Sequence, residues 1–151
     1  MKVSFQRTGA QLSSDSVASL ERGLGVELPT DYRQFLLHYN GGQPIPDCVG
    51  VAGLAGGATD VQIFFGIRRS VETSNLAWNI EQFEQLSREG LLPIACDSGG
   101  GLFCLSLSGP TRGRVYFVDP FDEACATARS FVVADSFDGM LAALFDNPTS
   151  R

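Results

Sequence analysis

Apolar positions recur at helical spacing in four stretches of the chain and in strand-like runs between the last two. Residues 1–13 are largely polar and read as a short strand or an arm. Ser14-Asp15 then offers an N-cap, and Val17, Leu20 and Leu24 follow at i, i+3, i+7. That spacing predicts a short helix with one apolar stripe, ended by Gly23 or Gly25. Leu28-Pro29-Thr30-Asp31 restarts the chain, with Thr30 or Asp31 near the start of a second helix. Its stripe, Tyr32, Phe35, Leu36 and Tyr39, is the best in the sequence. Asn40-Gly41-Gly42 stops it, because these residues tolerate the left-handed conformation of a C-cap.

Residues 43–60 hold three Pro or Gly clusters and read as a long loop. Val61, Ile63, Phe65 and Ile67 alternate and predict one face of a strand. Leu76, Ile80 and Phe83 predict a helix over about 74–88, closed by Gly90 and supported by the Glu84–Arg88 pair at i,i+4. Beyond it the pattern changes. The apolar runs 91–96, 102–107 and 114–118 are separated by turn-rich segments, which predicts an antiparallel meander, and 129–134 offers one more strand. Asp135 is placed to cap a final helix carrying Phe137, Met140, Leu141 and Leu144. The expectation is an α+β fold: a single domain over residues 14–146, an antiparallel meander with helices packed on it, and a tail at 147–151.

Composition narrows the function. The chain has 151 residues, 44% of them hydrophobic, and 17 Asp+Glu against 11 Lys+Arg, a net charge of −6. That is enough apolar material for one core, and too little charge for a disordered chain. No apolar stretch has the length of a spanning helix, and an acid excess is the opposite of a nucleic-acid footprint. The charge suits a basic protein partner. Cys48, Cys96, Cys104 and Cys125 lack metal-ligand spacing, and Cys96 and Cys104 sit in apolar runs as small hydrophobes. With no apolar signal core near Met1, the expected location is the cytosol.

Chemistry is sparse. A Ser or Cys nucleophile needs a base, and the one His, His38, lies at a helix end far in sequence from every Cys. The Gly-rich run 50–57 lacks the Lys-Ser/Thr of a phosphate loop and follows no clear strand. Asp97-Ser98-Gly99-Gly100-Gly101 reads as a turn whose amides offer at most a seat for a small anion. Trp78 interrupts the polar face of its helix, either flanking the core or serving as a partner anchor. No catalytic, metal or cofactor site is expected.

Four motifs in order carry a family resemblance over about residues 14–145. They are Leu24-Gly25-Val26-Glu27-Leu28-Pro29-Thr30-Asp31-Tyr32 running to Asn40-Gly41-Gly42, then Leu92-Pro93-Ile94-Ala95-Cys96-Asp97 with Phe103 to Leu107, then Gly113 to Asp119, and Ala134-Asp135-Ser136-Phe137. Together they resemble the SUKH superfamily, which includes fungal regulators of cell-wall synthesis and many bacterial proteins. Gly101 stands where members often carry an acid, and Val118 where an aromatic residue is common. The resemblance implies a non-enzymatic binding domain, usually an immunity protein that neutralises a cognate toxin, or in the fungal manner a regulatory scaffold for an endogenous partner. Loop position and charge nominate Asp47, Asp60, Asp97, Asp119, Asp122 and Glu123 as partner contacts. Self-association is left open.

Overall fold

The computed structural model describes residues 3–120 and 130–146. The first strand, β1 (Ser4–Gln6), precedes two helices, α1 (Ser14–Leu24) and α2 (Thr30–Tyr39). Ser13, one residue earlier than the sequence suggests, caps α1: its Oγ accepts the Ser16 N–H at 3.3 Å. Gly25, in the left-handed region at φ 77°, ends the helix. The α2 stripe buries Tyr32, Phe35 and Leu36, whereas Tyr39 stays 40% exposed and stacks at the surface on Phe5 of β1.

The predicted loop at 43–60 is instead three short strands. β2 (Gln43–Ile45) pairs with β1, and β3 (Cys48–Gly50) forms a hairpin with β4 (Ala58–Asp60). Strands of three residues show too little alternation to read, and Pro44, Gly50 and Gly53 mask what there is. The next stretch also departs from expectation, because only Ile63–Phe64 is strand (β5). Phe64 and Phe65 are both buried, so alternation fails: Phe64 joins an aromatic cluster while the Phe65 N–H reaches the Ile94 carbonyl at 2.8 Å.

The helix expected over 74–88 is two. A 3₁₀ turn (Glu72–Ser74) leads into α3 (Leu76–Gln82), and α4 (Glu84–Arg88) follows after Phe83 at φ −120°, ψ 53°. No Gly or Pro marks this break; Phe83 leaves the helical region as its ring turns toward the core. The meander is as expected: β6 (Leu91–Cys96), β7 (Leu102–Ser106), β8 (Val115–Val118) and β9 (Ser130–Ala134). With β5 they form a five-stranded antiparallel sheet in the order β5-β6-β7-β8-β9.

Every position of β7 and the first five of β6 are buried, so both faces of the central strands are covered. α3 and α4 pack on β6, and the last helix, α5 (Phe137–Ala142), packs on β9 and α2. Ser136 caps α5 in place of Asp135, accepting the Gly139 N–H at 2.9 Å, while Asp135 faces Arg114 at 3.6 Å. Phe35, Phe64 and Phe137 meet with centroids 5.0–5.6 Å apart, joining α2, β5 and α5. The architecture is α+β, with helices on an antiparallel sheet. Among the described residues no helix is long and apolar enough to cross a membrane.

Candidate partner-binding surface

The register of the sheet gathers the acidic candidates. Cys96 faces Leu102, Leu102 faces Val118, and Ile63 faces Cys96 across neighbouring strands. The residues just outside these positions, Asp60, Asp97 and Asp119, therefore lie at one end of the sheet. Asp47 joins them, because Cys48 pairs with Asp60 and the Val61 N–H donates to the Asp47 carbonyl at 2.7 Å. Asp119 is exposed, and Asp47 and Asp60 are half-buried. Asp122 and Glu123 lie outside the described residues, as does Cys125.

The carboxylates differ in what already holds them. Asp97 is buried, and its Oδ1 accepts the N–H groups of Gly99 at 3.0 Å and Gly101 at 2.7 Å. Its Oδ2 accepts the Thr59 hydroxyl at 2.7 Å. The turn amides that could have held an anion are thus filled by the protein's own carboxylate. Asp60 reciprocates from the hairpin, accepting both the Ser98 hydroxyl and, at 3.0 Å, the Ser98 N–H. Together Asp60 and Asp97 clamp the β3–β4 hairpin to the β6–β7 turn, so the acidic end of the sheet is pre-organised. An interface with few mobile elements loses less entropy on binding.

The Asn40-Gly41-Gly42 signature is structural. Asn40 is buried in the left-handed region at φ 51°, its Nδ2 donating to the Ala10 and Ile67 carbonyls at 3.0 and 2.9 Å. Its Oδ1 accepts the Ile67 N–H at 2.7 Å. Gly66 packs so closely that a Cβ there would fall 2.3 Å from the Asn40 carbonyl oxygen. His38 is exposed, with Nδ1 at 2.9 Å from the Gln34 carbonyl. Among the described residues no three His, Cys, Asp or Glu side chains converge as metal ligands do.

Beside the acidic end, sequence reasoning missed a cleft of about 820 Å³. Its lining brings together Arg7 from beyond β1, Arg69 and Trp78 around the start of α3, and Cys96 and Leu102 from the sheet. Trp78, half-buried, stands in its wall. Arg69 is fixed by two neutral oxygens: Nη1 donates to the Asn40 carbonyl at 2.9 Å and Nη2 to the Arg7 carbonyl. Burial lowers the Arg69 pKa from its ordinary value. Burial, followed by the charges of Asp97 and Asp60, pushes the Cys96 thiol up to about 11, so it stays protonated near neutrality and is a poor nucleophile. Only Trp78 carried a sequence signal for this cleft. The arginines are remote in sequence and meet through β1.

A family model described as the SMI1 / KNR4 family (SUKH-1) matches residues 11–143. No curated protein matches the chain.

Proposed function

Because the chain belongs to the SMI1 / KNR4 family (SUKH-1), a family of protein-binding immunity and regulatory domains, we propose that it is a toxin-neutralising immunity protein. It acts in the cytosol by binding rather than by catalysis. The observation that carries this reading is the placement of Asp47, Asp60 and Asp119 around one pre-organised end of the sheet, in a chain of net charge −6. Toxin domains that act on nucleic acid carry basic grooves. An acidic face held in position accelerates encounter with such a groove and matches it once docked.

Co-expression with the product of the adjacent gene tests the proposal. It predicts protection of the host cell and a complex that survives purification, with an association rate that falls as salt rises. Neither protection nor complex would sink the immunity reading. A complex with an endogenous enzyme or signalling protein in its place would make the chain a regulatory scaffold.

A further inference from the structure

The cleft beside the acidic end inverts the sign of its surroundings. In a chain of net charge −6, its lining includes two arginines and no Asp or Glu. Asp60 and Asp97, at the adjoining sheet end, keep their charge, but their oxygens are turned to Ser98, Thr59 and the turn amides and not to the arginines. Neither arginine is ion-paired among the described residues. Arg69 is gripped by the carbonyls of Asn40 and Arg7, which fix the guanidinium but leave its unit charge intact. Arg7 is exposed, and its guanidinium makes no ion pair among the described residues. Desolvation disfavours a cation, and an arriving anion relieves that penalty.

The rest of the lining mixes neutral polar side chains such as Gln62 and Asn79 with apolar and aromatic ones, including Ile63, Phe65 and Trp78. A group that fills such a space carries a negative charge next to an apolar body. We propose that the cleft receives an acidic segment of the partner protein, a Glu or Asp side chain on Arg7 and Arg69 with a neighbouring apolar side chain against Trp78. The inference rests on the protein-binding reading and adds to it: the binding surface is bipolar, an acidic sheet end for the partner's basic face and a cationic cleft for an acidic projection. Opposed charges set side by side fix orientation as well as attraction, since a partner docked in reverse meets like charge at both places.

Trp78 is the one tryptophan in the chain and stands in the cleft, so its emission reports occupancy without a label. The probe is an acetylated, amidated Leu-Glu-Leu-Glu-Leu peptide, with its Gln-for-Glu counterpart as control and adenosine diphosphate as the small-anion arm. The expected result is saturable change with the Glu peptide and at least about tenfold weaker binding of the Gln peptide. Arg7→Asn, which keeps a residue suited to the left-handed backbone at φ 54°, should weaken the Glu peptide about fivefold and leave the Gln peptide unchanged. An unchanged thermal transition confirms that this variant is folded, and Arg7→Glu should abolish binding of the Glu peptide. Equal binding of the two peptides, no binding, or tighter binding of the nucleotide would overturn the inference. The two readings separate on the complex itself: if the partner binds wild type and Arg7→Asn alike, the cleft inference falls and the protein-binding reading stands. If the peptide binds but no complex forms with the adjacent gene's product, the immunity reading falls and the cleft's selectivity for an acidic segment stands.

Discussion

Thr59 and Asp97, 38 positions apart, share a hydrogen bond of 2.7 Å that ties the β3–β4 hairpin to the β6–β7 turn. Asp97 accepts two turn amides with its other oxygen, so one buried side chain organises two segments. Asp97→Ala should therefore lower stability by about 2–3 kcal/mol, and Thr59→Val by about 1 kcal/mol. Urea unfolding measures both as shifts of midpoint at constant slope. A neutral Asp97→Ala would leave this residue a surface acid and not a clamp.

Gly101 has a steric reason to carry no side chain. A Cβ at this position would lie 2.2 Å from Phe117 Cζ, inside the ring's own volume. Gly101→Ala should destabilise by about 1–3 kcal/mol, as overpacking does. In Gly101→Ala/Phe117→Leu the two losses should sum to less than their separate values, because the smaller side chain removes the clash. Strict additivity in that cycle would refute the steric account.

Glu21 gives the fold a pH dependence. Burial acts to raise its pKa, but hydrogen bonds from Arg33 at 2.5 Å and the Leu28 N–H at 2.7 Å prevail and hold it below the ordinary carboxylate value. A depressed folded pKa contributes stability above the unfolded value of about 4.3, which is lost as the pH falls through the folded value. Glu21→Gln should lower stability by about 1–2 kcal/mol at pH 7. That difference should shrink on acidification below about pH 4; a difference constant from pH 7 to pH 3 would contradict the assignment.

The Tyr32 hydroxyl is fully buried and has no hydrogen-bond partner among the described residues. Burial drives its pKa up, since the phenolate cannot be solvated there. Tyr32→Phe removes an unsatisfied group and keeps the ring that packs at 5.2 Å on Phe137. Stability should stay level or rise by up to about 1 kcal/mol. Wild type should lose stability above about pH 10, where the unfolded tyrosine ionises, and lose more than the variant.

Elements long enough to repeat their period were legible before folding: α1, α2, the β6–β8 meander and α5 each carry a stripe or an unbroken apolar run. The three-residue strands β2, β3 and β4 were not, because three residues show too little alternation and the partner of β2 lies far along the chain in β1. The break at Phe83 was hidden for a similar reason, since the ring's packing, and no local breaker, ends α3. Asp97 was nominated for its charge, yet its oxygens are turned to the protein's own amides and hydroxyl, an orientation that sequence position does not encode. Arg7 and Arg69 became neighbours only through the seating of β1 against β2.

The cleft draws on residues from Arg7 to Leu102, so it has no counterpart in any shorter stretch of chain. During synthesis the two arginines emerge early, but the wall they face is absent until the ribosome has passed β7. An intact cleft therefore requires synthesis through Leu102, and recognition of an acidic segment would follow only once β7 has joined β6. Splitting the chain between Trp78 and Leu102 would leave two fragments, neither of which could hold that ligand until they reassemble.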